Sequence, residues 1–136
     1  MRSINPATGS QLAEYQEHSP AQASDRLKRC HKAFEHWSRR PLTERTQVLT
    51  EAARLLRERR AELGRLATLE MGKTLVSAEA EVEKCAWTCE YYAEHAAEML
   101  APERIASDAN DLSVRFDPLG VLLAVMPWNF PYWQSF

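Results

Sequence analysis

The segment VLLAVMPWNFP, residues 121–131, decides how the rest of the chain is interpreted. Its first six residues are all apolar, and they follow the turn-like sequence DPLG at 117–120. A short apolar run after a turn is typical of a strand that is buried on both faces of a sheet, although periodicity alone leaves a buried helix open. Pro127 ends the run because proline has no N–H to donate to a neighbouring strand. The sequence therefore predicts that Asn129 lies in a loop at the carboxyl end of a central strand, where open parallel α/β sheets bind ligands.

Three stretches together resemble the NAD(P)-dependent aldehyde dehydrogenase family. The segment PWNFP at 127–131 matches the family's Pro-Trp-Asn-Phe-Pro motif. NPATG at 5–9 is similar to its N-terminal strand and turn, and EMGK at 70–73 is similar to a sequence between two of its N-terminal helices. The three occur in family order and extend over the whole chain, but they correspond only to the first part of a full member. EMGK, with YWQ at 132–134, looks most like the succinate-semialdehyde branch.

The resemblance implies a fold and a domain organisation. The parent would be an α/β protein with a Rossmann-type parallel sheet. This fragment would be mainly α-helical, with a short N-terminal strand pair, a β-hairpin and the first strand of the nucleotide-binding sheet. Residues 1–136 would form an incomplete N-terminal part of the NAD(P)-binding domain. Within it, residues 101–118 would form an oligomerisation hairpin, and the full-length parent would be a homo-oligomer.

The resemblance also assigns a catalytic role to Asn129. The family oxidises an aldehyde to the carboxylic acid with NAD or NADP, and the resemblance to the succinate-semialdehyde branch makes succinate semialdehyde the candidate substrate here. Asn129 takes the position of the oxyanion donor, whose neutral side-chain NH₂ faces the negative charge that develops on the aldehyde oxygen. The alternative is an asparagine that only satisfies backbone groups of its own loop.

The neighbours of Asn129 take binding positions in the same motif or directly beside it. Met126, Pro127 and Trp128 resemble residues on the nicotinamide side of the cofactor. Phe130 and Trp133 resemble residues that line the substrate tunnel, and the alternative for these two aromatic side chains is packing in the core. The sequence shows no residue that would bind the carboxylate of succinate semialdehyde, so this substrate rests on overall likeness.

Other parts of the family's active site are expected downstream of this chain. The catalytic cysteine, the glutamate base and the glycine-containing cofactor loop are not matched, so we expect the chain to be inactive alone. Cys30, Cys85 and Cys89 fall on apolar helix faces and are interpreted as small buried hydrophobic residues. The alternatives are a nucleophile or a metal site, but Cys85, Cys89 and His95 lack a zinc-finger spacing and a fourth ligand, so no metal is predicted.

Three amphipathic helices are predicted between the N-terminal strands and the hairpin. The first is capped by Ser19 before Pro20 and ends before Pro41. The second is capped by Thr43 and ends at EMGK (70–73), where Gly72 takes a left-handed conformation and Lys73 is helix punctuation. The third runs from Leu75 to Met99. The predicted buried face of the second helix consists of Leu49, Ala52, Leu56, Leu63 and Leu66, and Gly64 marks a close approach to another backbone. Its arginines are interleaved with glutamates at helical spacing, which favours a solvated, ion-paired face over an anion site.

Composition narrows the class of protein. The chain has 136 residues with a formal net charge of −2, which does not suggest nucleic-acid binding. No apolar run could cross a membrane and no signal peptide is visible, so we expect a cytoplasmic protein. Because the βαβ unit that begins at residue 121 is not completed, the isolated chain is expected to expose this run and to be poorly soluble or partly disordered beyond Ala101. Two alternatives to an enzyme segment are a helical interaction module and a non-catalytic docking subunit derived from the family.

Overall fold

The structure, a computed structural model, describes residues 1–108 and 112–136. Within those ranges, two antiparallel strand pairs flank four helices. The elements are β1 (Arg2–Ile4), β2 (Gln11–Glu14), α1 (Pro20–Trp37), α2 (Leu42–Glu58), α3 (Arg60–Met71), α4 (Leu75–Met99), β3 (Glu103–Arg104) and β4 (Ser113–Val114). The predicted mainly helical segment, with its N-terminal strand pair and its hairpin, is confirmed. None of the helices in the described ranges has the length and apolar character needed to cross a membrane.

Helix α1 begins where the sequence predicts. Ser19 Oγ accepts a hydrogen bond from the Gln22 backbone N–H at 3.2 Å, and Gln22 Oε1 accepts one from the Ser19 N–H at 2.9 Å. This reciprocal pair satisfies two backbone donors that a helix leaves free at its start. No residue of α1 is buried. The prediction that Cys30 is buried is therefore wrong. The apolar stripe of this helix is largely uncovered by the described part of the chain, with Phe34 half-buried and the other members exposed: Ala23, Leu27, Cys30 and Trp37.

The second predicted helix is two helices. The break falls at Arg59, whose backbone (φ −98°, ψ 14°) leaves the helical range between α2 and α3. On either side of this bend, both α2 and α3 pack along α4. Thr43 is not the cap, since Pro41 precedes α2 and makes no side-chain cap hydrogen bond. Leu66 is exposed, contrary to its predicted burial, whereas Leu56 is buried as predicted.

The core lies between α4 and the two helices that pack on it. It consists of Ala53, Leu56, Val82, Cys85, Ala86 and Cys89. Small side chains let the helices approach closely, and Gly64 is the clearest case. A Cβ on Gly64 would lie 2.6 Å from Glu79 Cγ and 3.2 Å from the Glu79 backbone nitrogen. The predicted close approach at Gly64 is confirmed, as is the burial of Cys85 and Cys89.

The apolar run at 121–126 forms no strand in this chain, although the sequence predicts one buried on both faces. Leu122, Leu123 and Val125 are 82%, 92% and 81% exposed. A strand needs a backbone partner to satisfy its N–H and C=O groups, and the described residues supply none here.

The predicted hairpin is present as β3 paired antiparallel with β4, Glu103 opposite Val114. Its strands are exposed rather than half-buried. The predicted turn at 108–111 lies outside the described residues except for Asp108.

Candidate active-site loop

The loop that carries Asn129 is docked on α4 through one buried carboxylate. Glu81 is 4% exposed, and its Oε1 accepts hydrogen bonds from two successive backbone N–H groups, Tyr132 at 2.9 Å and Trp133 at 3.0 Å. Two hydrogen bonds to one carboxylate oxygen fix the peptide planes on either side of Tyr132. The turn at residues 128–135 is therefore held on the helix by its backbone as well as by its side chains.

The second oxygen of Glu81 holds Lys73. Gly72 ends α3 in the left-handed conformation (φ +77°) and directs the chain towards Thr74, which caps α4 by accepting from the Ser77 N–H. Between them, Lys73 Nζ forms an ion pair with Glu81 Oε2, and the two side chains are 8% and 2% exposed. A buried ion pair is stable only when the remaining donors and acceptors also find partners.

Lys73 Nζ finds those partners on the loop itself. It donates a hydrogen bond to the backbone carbonyl of Asn129 at 3.1 Å, and it lies 3.9 Å from the ring centroid of Phe130. An ammonium over an aromatic face is attracted by the ring's quadrupole. Lys73 thus contacts the residue predicted to be catalytic and the residue that follows it.

Tyr132 and Trp133 anchor the far side of the same turn. Tyr132 Oη donates to the Leu63 carbonyl of α3 at 3.0 Å, and burial, with Glu70 and Glu81 nearby, raises the pKa of this phenol. The ring centroid of Trp133 lies 3.6 Å from Lys84 Nζ. Both aromatic side chains pack against the core between α2 and α4. The loop is therefore fixed to both α3 and α4.

The side chain of Asn129 is left available. Asn129 is exposed, and no hydrogen bond to its side-chain amide occurs in residues 1–108 and 112–136. The backbone of Asn129 is held by Lys73 while its NH₂ group can donate to another molecule. The part of Asn129 that is held in place is therefore its backbone, and its side-chain amide projects from a fixed point of the loop.

The other predicted site residues lie on either side of Asn129. Met126 is half-buried, whereas Pro127 is exposed and Trp128 is 74% exposed. Phe130, which belongs to the motif, and Trp133, which follows it, are brought together. They line one small cleft of about 200 Å³ whose other walls are Ser77, Ala80, Glu81 and Lys84.

The cysteines offer no nucleophile to this loop. Burial, together with the nearby charge of Glu81, raises the pKa of Cys85 to about 11, and burial also raises the pKa of Cys89. Thiolates, which are the reactive form, are therefore disfavoured at both positions. Cys30 is exposed on α1, which contributes none of the loop contacts described above. In the part of the chain that the structure describes, no group of three potential ligands could hold a metal ion.

The arginine-rich face of α2 is ion-paired, as the sequence predicts. Arg54 bridges Glu51 and Glu58 within the helix. Arg57 reaches α4, where it pairs with Glu83 and Glu90 and keeps the pKa of Glu90 below its ordinary value. These carboxylates occupy the guanidinium groups, so the face does not present a free site for an anionic ligand.

Sequence reasoning missed Lys73 and Glu81. Gly72 is confirmed as the left-handed residue that ends the helix. Lys73 was predicted only to mark the helix end, but it pairs with Glu81 and binds the Asn129 carbonyl. A signal was present in the sequence. Glu81 falls between Ala78 and Cys85 on the apolar seam of α4, and an acid on a buried seam requires a cation or several N–H donors.

Comparisons with known proteins agree on one family. The profile of the aldehyde dehydrogenase family matches residues 1–136. A probable succinate-semialdehyde dehydrogenase [NADP(+)] of Synechocystis sp. is 45% identical over 133 residues, which cover 98% of this chain and 29% of that protein. A succinate-semialdehyde dehydrogenase [NADP(+)] of Mycobacterium leprae is 41% identical over 135 residues, covering 97% of this chain and 30% of that protein.

A solved structure gives the same result for the fold. The crystal structure of succinic semialdehyde dehydrogenase from Streptococcus pyogenes, in complex with NADP⁺ as the cofactor, superposes with a TM-score of 0.93 at 33% identity, covering 98% of this chain and 30% of that one. The chain spans about 30% of the length of these relatives. Because the family profile extends over every residue, this chain belongs to the aldehyde dehydrogenase family.

Proposed function

We propose that this chain is the N-terminal segment of an NAD(P)-dependent aldehyde dehydrogenase that oxidises succinate semialdehyde to succinate, and that Asn129 is its oxyanion donor. One observation carries the assignment of Asn129. Its backbone carbonyl is held by a buried lysine while its side-chain amide is free to donate. The role follows from that contrast. The NH₂ group stabilises the oxygen of the aldehyde as the carbonyl is attacked and becomes negatively charged.

The cofactor positions of the motif fit a flat aromatic group. Met126, Pro127 and Trp128 carry no charge, and the large exposed surface of Trp128 offers an apolar face on which a nicotinamide ring can pack. In the proposed enzyme NAD⁺ or NADP⁺ accepts a hydride when bound. The role of these three residues is to hold that group beside the substrate and to exclude water.

The substrate is proposed from the cleft and from the relatives. Phe130 and Trp133 form an apolar wall that suits the methylene groups of a short aldehyde. The relatives from Synechocystis and Mycobacterium leprae are named for succinate semialdehyde. Residues 1–136 would then be an incomplete N-terminal part of the NAD(P)-binding domain, with 101–118 as an oligomerisation hairpin. The homo-oligomeric state and the cytoplasmic location stay predictions.

The nucleophile and the base are proposed to come from the remaining part of the complete enzyme. The two buried cysteines have raised pKa values, and Cys30 lies away from the loop contacts. The relatives are about three times as long as this chain. The chain would therefore supply the oxyanion donor and part of the binding surface, and would not turn over an aldehyde alone.

The test is an Asn129→Ala substitution in the complete protein. Loss of one oxyanion donor is expected to lower kcat by about 10²–10³-fold while the KM for the cofactor changes little. Gln134→Ala is the matched control, since Gln134 is an exposed amide in the same loop. Normal turnover by a correctly folded Asn129→Ala variant would show that the oxyanion assignment is wrong.

A second candidate is a helical interaction module. The exposed apolar stripe of α1, with no buried residue in the whole helix, is the observation that favours it. A soluble, stable oligomer of the 136-residue chain that binds neither NAD nor NADP would support this candidate over the enzyme segment.

A further inference from the structure

We propose that Lys73 and Glu81 are positioning residues for Asn129, and that they act on catalysis through the backbone of the loop rather than by contact with substrate. The inference rests on the proposed oxyanion role of Asn129 and goes one step further. In this inference, the position of the Asn129 donor depends on the ion pair between Lys73 and Glu81, which lie 56 and 48 residues earlier in the sequence.

Four contacts converge on four residues of the five-residue stretch 129–133. Lys73 Nζ holds the carbonyl of Asn129 and lies over the ring of Phe130. Glu81 Oε1 holds the N–H groups of Tyr132 and Trp133. Lys73 and Glu81 are bound to each other, so the two ends of the turn are tied to one buried charge pair.

This arrangement restricts the backbone motion that would displace the side-chain donor of Asn129. The carbonyl of Asn129 belongs to the peptide plane that follows its Cα, so the bond from Lys73 limits rotation about ψ of Asn129. A catalytic donor must be held within about 0.5 Å of its productive position. Displacement by about 1 Å, caused by a change away from the reacting atoms, can cost about 100-fold in rate.

The chemistry of lysine suits this place better than that of arginine. The compact ammonium directs three donors in different directions, here towards a carboxylate, a carbonyl and a ring face. Guanidinium is planar and larger, and its donors lie in one fork. Lys73→Arg keeps the charge but is expected to displace the Asn129 carbonyl, so charge alone should not restore activity.

The experiment is a double-mutant cycle on kcat in the complete protein. The Lys73→Met/Glu81→Gln pair removes both charges, leaves no buried charge without a partner, and keeps an oxygen to accept from Tyr132 and Trp133. It is measured in the wild-type and in the Asn129→Ala background. Lys28→Met is the control for loss of a lysine, since Lys28 is exposed on α1.

The expected result is non-additivity. The pair keeps the acceptor for Tyr132 and Trp133 but removes the bond from Lys73 to the Asn129 carbonyl, and this loss should lower kcat about 10- to 100-fold in the wild-type background. In the Asn129→Ala background the same pair should change kcat by less than about twofold, because the group that it positions is gone. A merely structural role would reduce the folded fraction equally in both backgrounds.

Two outcomes would overturn the inference separately from the proposed function. Equal losses in both backgrounds, or no loss in either, would contradict a role through Asn129 even if Asn129→Ala is itself inactive. Full activity of Asn129→Ala would instead contradict the proposed function, and the positioning role would fall with it.

Discussion

Two regions of the chain carry equally apolar sequence patterns and have opposite environments. In the layer formed by α2, α3 and α4, Val82 and Cys85 are fully buried. At 121–125, side chains of the same type face solvent, and the stripe of α1 is exposed as well. The difference lies in the packing partner. Helix α4 packs against α2 and α3, whereas the described residues leave the run at 121–125 and most of the apolar face of α1 uncovered.

The loop that carries Asn129 begins in the second region and ends in the first. Residues 121–126 are without a strand partner among the described residues. From Asn129 onward the chain is bound to α3 by Leu63, to α4 by Glu81, and to the segment between these helices by Lys73. The helical layer therefore fixes the candidate catalytic residue without help from a sheet. Substitutions in the two regions should therefore differ in their effect on stability, and this difference can be tested.

The largest effect is expected from the same substitution made once in each region. Val82→Asp places an unpaired charge in the core of the 136-residue chain and should destabilise it by about 4 kcal/mol or more, enough to abolish its helical circular dichroism. Val125→Asp should leave the helical signal unchanged and increase solubility, because Val125 is 81% exposed. Similar losses of helical signal in the two variants would contradict the proposed difference between the regions.

Breaking the buried ion pair should have the next largest effect. Lys73→Met leaves the Glu81 carboxylate buried without its cation, at a cost of about 3–5 kcal/mol in the free energy of unfolding measured with urea. Adding Glu81→Gln removes the stranded charge and should recover most of that loss. Lys28→Met should change stability by less than about 0.5 kcal/mol. A double variant no more stable than Lys73→Met would argue against the ion pair as the cause.

A smaller, pH-dependent effect is expected from Cys85. Its folded-state pKa of about 11 lies above its ordinary value of 9.0, so the folded chain keeps the proton that the unfolded chain loses. Stability is therefore full below pH 9 and should fall, by a few kcal/mol at most, as the pH rises from 9 towards 11. The free energy of unfolding, measured by urea titration at several pH values, should fall less steeply with pH in Cys85→Ala than in the wild type. In Cys30→Ala it should fall as steeply as in the wild type. Identical slopes in all three proteins would refute the assignment to Cys85.

The smallest effect is expected on the solvated face of α2. Arg54 pairs with Glu51 and Glu58, but all three side chains are more than half exposed. Arg54→Ala should cost less than about 1 kcal/mol, and 0.5 M salt should reduce that difference further. A loss as large as that of Lys73→Met would mean that exposure is a poor guide to the strength of ion pairs in this chain.

The sequence predicted the elements whose signals are local. The capping box at Ser19, the left-handed Gly72 and the limits of α4 follow from neighbouring residues, and all three are confirmed. The break at Arg59 was not predictable, because no proline or glycine marks it in the sequence. The conformation of residues 121–126 was not predictable from their apolar character, since a strand forms only when a second strand pairs with it.

The candidate site was predicted only in part, because its local motif is visible in the sequence but its contacts between distant residues are not. The sequence predicted that Asn129 lies in a loop, and that loop is present, but the central strand that was predicted to precede it is not formed in the described residues. The ion pair beneath it joins Lys73 to Glu81, and then to residues some 50 positions further along. No local sequence pattern predicts contacts between residues that are so far apart in the sequence. Only the position of an acid on the apolar seam of α4 indicated that a partner was needed.

Amide hydrogen exchange at Tyr132 and Trp133 tests the docking of this loop most directly. The comparison is between Lys73→Met/Glu81→Gln, which keeps an oxygen acceptor at position 81, and Lys73→Met/Glu81→Met, which has a similar volume and no acceptor. We predict that both amides stay protected in the first variant and lose protection in the second, while the amides of α4 around Cys85 exchange equally slowly in both. Equal protection of Tyr132 and Trp133 in the two variants, or a loss spread evenly along α4, would contradict the claim that Glu81 holds the loop that carries Asn129.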